Sequence, residues 1–81
     1  MITKDSIEQA YCFFHQKWRI YSFSTDATQR DNIEYAIGSY ADSMNVDLFL
    51  LLSDGKKDFL HDSSSFSFDL SSAVDKLEKL L

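Results

Sequence analysis

The sequence predicts a mainly α-helical fold, a small bundle of three to four helices forming one domain over residues 1–81. Three observations predict it. Apolar residues recur at steps of three and four in three separate stretches. The 81 residues contain no proline and only two glycines, so little interrupts a helix. Leu is common and Val scarce, a balance that favours helix over sheet. An apolar content of 44% is too high for a disordered chain, and the single cysteine leaves burial rather than disulfides to supply stability.

The fold is organised around Ser6–Tyr21, which holds five of the aromatic residues. Ile7, Tyr11, Phe14, Trp18 and Tyr21 form one helical stripe. Phe13 and Ile20 form a second, about 120–140° round the same cylinder at roughly 100° per residue. Two stripes predict a central helix covered on both sides. Thr3 or Asp5 can cap it, and Asp5 with Glu8 has capping-box spacing. Trp18–Phe23 alternates like a strand, but the helical stripe continues through Tyr21.

Ser22 to Asp26 reads as a connector, with Asp26 and Gln29 again at capping-box spacing. A second helix is expected over roughly Ala27 to Met44. Ile33, Ala36, Ile37, Tyr40, Ala41 and Met44 make its apolar face, and Asp31, Glu34, Gly38 and Asp42 its opposite face.

Two readings compete for 46–61. In the first, Asn45 caps a short helix that ends at Gly55 in a left-handed conformation. In the second, Val46–Ser53 and Lys56–His61 pair as a β-hairpin about Asp54-Gly55, giving an α+β fold with the hairpin packed on the helices. The polar second strand disfavours the hairpin. A last helix, from about Ser65 or Asp69 to the end, follows from the stripe Phe66, Leu70, Ala73, Val74, Leu77 and Leu81.

The net charge of −5 is concentrated. Lys4, Lys17 and Arg19 outweigh Asp5 and Glu8 in residues 1–25, and residues 55–81 are nearly balanced. Residues 26–54 set Arg30 against Asp26, Asp31, Glu34, Asp42, Asp47 and Asp54. That distribution argues against nonspecific binding to nucleic acid or anionic membrane, both of which need basic clusters. No apolar run approaches the roughly 18 residues of a membrane span. The lone cysteine and the lack of a signal-like opening predict a cytoplasmic protein.

No phosphate loop, nucleophile elbow, CxxC or HExxH occurs, and no cofactor is expected. Cys12 and His15, three apart, can share a metal or form a nucleophile–base pair, but two ligands do not close a zinc site. They sit on the polar side of the helix with Gln16 and Arg19. Asp31, Glu34 and Asp42 are spread along a helix rather than gathered in an ion-wrapping loop, so a solvated face is expected. Gly38, mid-helix, costs about 0.5–1 kcal/mol relative to alanine. It marks either tolerated cost, close packing by this chain, or a partner backbone laid across a face flanked by Asp31, Glu34, Tyr35 and Asp42.

The sequence therefore predicts a non-catalytic protein–protein interaction module or self-associating subunit, not an enzyme. The expected contact residues are Asp31, Glu34, Tyr35, Gly38 and Asp42, with Trp18 and Tyr21. So few residues cannot cover Tyr11, Trp18, Tyr21 and Phe23 together, and a homodimer through the flank of the first helix is the simplest outlet. The alternative is an acidic inhibitor or nucleic-acid mimic that occupies a basic site through the middle-third carboxylates.

Overall fold

The computed structural model describes residues 2–81. Four helices follow one another, α1 (Lys4–Phe23), α2 (Ala27–Ser43), α3 (Val46–Ser53) and α4 (Phe66–Leu80). About 75% of the chain is helical, in a small bundle with no strands among the described residues. No described helix is long and apolar enough to cross a membrane.

α1 starts one residue after Thr3, whose hydroxyl accepts from the Ser6 N–H while Ser6 Oγ accepts from the Thr3 N–H. The capping box is thus Thr3/Ser6 rather than Asp5/Glu8, and Asp5 lies inside the first turn, where the helix dipole favours a carboxylate. The helix continues through Phe23, past the stretch whose alternation resembles a strand. It packs chiefly against α4 and also against α2. Ala10, Phe14 and Tyr21 are buried; Ile7, Tyr11 and Trp18 are half-covered. Of the second stripe, Phe13 stacks on Tyr40 of α2 at 4.4 Å, whereas Ile20 stays exposed. α1 is therefore covered on its α4 and α2 sides and open on the third.

α2 begins at Asp26, whose carboxylate accepts from the Thr28 N–H at 2.9 Å. Gln29 does not complete the expected box; its Oε1 accepts from Ser24 Oγ instead, and Ser24 Oγ accepts the Asp26 N–H. Ile33, Ile37 and Ala41 are buried, with Ala36, Tyr40 and Met44 half-buried. Arg30 lies over the Tyr21 ring, and Tyr40 reaches Phe13 and Phe14. α1 and α2 thus form an antiparallel pair.

The hairpin alternative for 46–61 is overturned. Asn45 Oδ1 accepts from the N–H groups of Asp47 and Leu48, which starts α3. Asp54 (φ 52) and Gly55 (φ 83) end it in left-handed geometry, with the Asp54 N–H on Leu50 O. Helical spacing turns Leu48 and Leu52 together into the core, and α3 packs against α4. The Lys76 ammonium reaches Leu52 O at 3.0 Å, satisfying a carbonyl of the last turn. Residues 57–61 and 63–65 form turns, not a strand.

That 54–65 segment is fastened to the bundle twice. On the inside, the buried carboxylate of Asp69 takes Lys56 Nζ at 2.8 Å on one oxygen. Its other oxygen takes the Leu60 N–H at 3.1 Å and Ser65 Oγ at 3.2 Å. Leu60 is held at φ 65, a left-handed conformation unusual for leucine, with its side chain buried. On the outside, His61 Nε2 meets Asp42 Oδ1 on α2 at 3.0 Å. Phe59 and Leu60 thereby enter the core, where Phe59 packs edge-on against Phe49.

Candidate functional site

The outer face of α2 was expected to gather Asp31, Glu34, Tyr35, Gly38 and Asp42. Helical spacing does place them in one row. Glu34, Tyr35, Gly38 and Asp42 line a single depression with Ser39, Leu60, His61, Ser63 and Phe66. Asp31 lies one turn earlier on the same face and does not line it. Tyr35 is 80% exposed at the rim.

Gly38 is not an open seat for a partner backbone. It is buried, and the His61 ring lies across it: a Cβ there would sit 3.3 Å from His61 Cε1 and Nδ1 and 3.8 Å from Leu60 O. The chain's own 57–61 turn fills the space, which is the intrachain close packing that a mid-helix glycine also signals. His61 has one nitrogen on Asp42 and the other against Gly38. The His61–Asp42 pair thus fastens the 57–61 turn to α2.

Trp18 and Tyr21 are separate from this face. Tyr21 is corrected as a contact residue, because its ring lies in the core 5.0 Å from that of Phe66 and under the Arg30 guanidinium at 4.3 Å. Trp18 is half-buried and lines a shallow groove with His15, Arg19, Ser22 and Phe23.

A larger open groove runs along the uncovered side of α1, lined by Tyr11, Cys12, His15, Gln16, Arg19, Ile20 and Phe23, with Ser24 and Gln29 at one end. Phe23 is 83% exposed. Cys12 and His15 both lie here, yet His15 stacks on Tyr11 at 5.3 Å and tilts against Trp18 at 6.1 Å. Among the described residues no group of three His, Cys, Asp or Glu side chains could hold a metal ion. Exposed apolar side chains also occur on α3, at Val46, Leu50 and Leu51, and on α4 at Phe68.

Among the described residues, two groups depart from ordinary acidity. Burial raises the Tyr40 phenol above 10.0. The Ser64 hydroxyl and N–H, both bonded to Asp62, hold that carboxyl below 3.8. Neither lines the grooves of α1.

The sequence missed Asp69 and the His61–Asp42 pair. Asp69 carried a signal, since it lies three residues after Phe66 and four before Ala73, on the apolar stripe of α4. A carboxylate there must be buried and partnered. The His61–Asp42 pair has no local signal, because it depends on how the 54–65 segment folds back. Comparison with family models, curated proteins and solved structures gives no match to this chain.

Proposed function

We propose that the chain is a non-catalytic module that works by associating with protein, either another chain or a second copy of itself. The observation that carries this reading is the set of large apolar side chains left uncovered. Phe23, Tyr35, Val46 and Phe68 are each at least 70% exposed, and Ile20, Leu50 and Leu51 are also open. Aromatic and aliphatic side chains of this kind are the usual anchors of protein interfaces. A second reading, an acidic occupant of a basic site, is supported by the carboxylate row of Asp31, Glu34 and Asp42 around exposed Tyr35.

Salt separates the two, since exposed charges are screened within about 10 Å at 0.1 M ionic strength. The immobilised chain should keep a measurable part of its capture, of itself or of another protein, at high salt, and lose it on Phe23→Ala. Capture that collapses with salt and is lost on Asp31→Asn with Glu34→Gln would replace the first reading by the second. No protein bound under either condition would remove both.

A further inference from the structure

We infer that the module self-associates, with α1 packing antiparallel on α1 of a second copy about a two-fold axis beside the Phe13–Phe14 peptide. This inference rests on the association reading above and names the surface and the partner.

Lys4, Glu8, Cys12, His15, Arg19 and Phe23 are spaced by four, four, three, four and four residues. At helical geometry they form one continuous ridge along α1. The ridge lies on the open side, with Lys4, Glu8, Cys12, Arg19 and Phe23 exposed and His15 half-exposed. Grooves run along both flanks of its C-terminal half, one towards Ile20 and Gln29, the other towards Trp18 and Ser22. A ridge between two grooves is the surface that helices use to pack on one another.

The spacing is the same read in either direction, and that symmetry selects the occupant. In an antiparallel pair each Glu8 comes opposite Arg19 of the other copy, and each Cys12 opposite His15. Phe23 then comes over Lys4, an aromatic face against an ammonium. Among the described residues neither Glu8 nor Arg19 is paired with another charge of its own chain. An isologous two-fold contact requires self-complementarity of this kind.

Charge distribution points the same way. Two copies of a chain carrying −5 repel each other, and residues 1–25 are the one third with a net positive charge, three basic groups against two acidic. The exposed side of α3 is the more apolar surface. It lies between Asp47 and Asp54 in the acidic third, where a second copy would meet like charge. The ridge carries little apolar area besides Phe23, so the dimer is weak and concentration-dependent.

Sedimentation velocity on the full chain over a concentration series should show monomer passing to dimer. Glu8→Arg and Arg19→Glu should each weaken association at least tenfold, and the double variant Glu8→Arg/Arg19→Glu should restore it. Circular dichroism should be unchanged in all three, since both residues are exposed. A short bis-maleimide should link Cys12 to Cys12 in the wild type and the double variant, and not in the single ones. A monomer at every concentration overturns the inference. A dimer indifferent to all three variants overturns the ridge while leaving the association reading standing. A dimer weakened by the single variants but not restored by the double one overturns the antiparallel register.

Discussion

Two carboxylates hold the same segment, and they differ in nearly everything else. Asp69 fastens residues 56–65 from inside with its side chain 2% exposed, using a lysine, a backbone N–H and a serine hydroxyl. Asp42 fastens His61 from outside with its side chain 72% exposed, using one contact at 3.0 Å. The distances are alike, so distance does not rank them. What ranks them is the solvent available to the groups left behind. Remove Asp69 and the Leu60 N–H is stranded in the core, while Lys56 loses the charge that holds it there. Remove Asp42 and water takes its place. Leaving the buried Leu60 N–H without an acceptor costs about 1–3 kcal/mol, whereas an exposed pair contributes about 0–1 kcal/mol, and Lys56, 41% exposed, can turn to water. Urea unfolding should therefore show Asp69→Ala as the most damaging polar substitution in the chain and Asp42→Ala as nearly silent. Equal effects would mean that the 54–65 segment is held by Phe59 and Leu60 alone.

The same contrast explains what was legible in the sequence. The helices were, because their stripes are local: Ile33, Ile37 and Ala41 announce α2 within nine residues. The stretch 46–61 was legible only in part, since Asp54-Gly55 can close a helix as readily as a hairpin and either structure puts Leu48 and Leu52 on one face. The exposed Leu50 between them is what marks the helix. Positions where two distant segments meet were not legible. Tyr21 read both as part of the core stripe and as a contact residue, because nothing local shows that Arg30 and Phe66 enclose it. Gly38 kept three readings open, intrachain packing among them, because nothing near it in sequence shows that a turn from residues 57–61 returns to lie on it. The open side of α1 was visible only in part, as an excess of aromatics over what a short chain can cover.

A smaller effect tests how rigidly the segment enters its inner fastening. Gly55 stands at φ 83 with open space around its Cα. Gly55→Ala should cost about 1–2 kcal/mol through backbone conformation alone, because a side chain there meets nothing. A cost near zero would show that the turn relaxes, and the placement of Lys56 against Asp69 would then owe nothing to it.

The outer side of the segment should respond to pH, with no large change in stability. Asp62 is held below 3.8 by the Ser64 hydroxyl and N–H. A depressed carboxyl stabilises the fold fully above its unfolded value and loses that contribution as pH falls through its lower folded value. Ser64→Ala should therefore remove a small contribution at neutral pH, leave stability in strong acid unchanged, and so flatten the acid limb of the profile below 3.8. Tyr40 gives the opposite limb. Burial raises its phenol above 10.0, so the folded state retains its proton longer and stability falls as pH rises past that value. Tyr40→Phe should remove this alkaline dependence.

The smallest effect is the most informative about Gly38. Replacing a mid-helix glycine by alanine gains about 0.5–1 kcal/mol of helix stability when the new methyl group has room. Here it has almost none, since the His61 ring stands 3.3 Å from the Cβ position. The ring is the movable end of a side chain 38% exposed, tied among the described residues to Asp42. It can shift by a few tenths of an ångström, straining a contact that contributes at most about 1 kcal/mol. The gain and the loss are of one size, so Gly38→Ala alone should change stability by less than about 0.5 kcal/mol. In a His61→Ala background the obstruction is gone, and the same substitution should stabilise by the full helical increment. A double-mutant cycle reads the coupling as the difference between the two. A Gly38→Ala that stabilises equally in both backgrounds would show that the ring yields freely and that the outer fastening imposes no geometry on α2. A Gly38→Ala that destabilises even without His61 would show that the ring is not the obstruction, and Leu60 O, at an ordinary contact distance of 3.8 Å, would not account for it either.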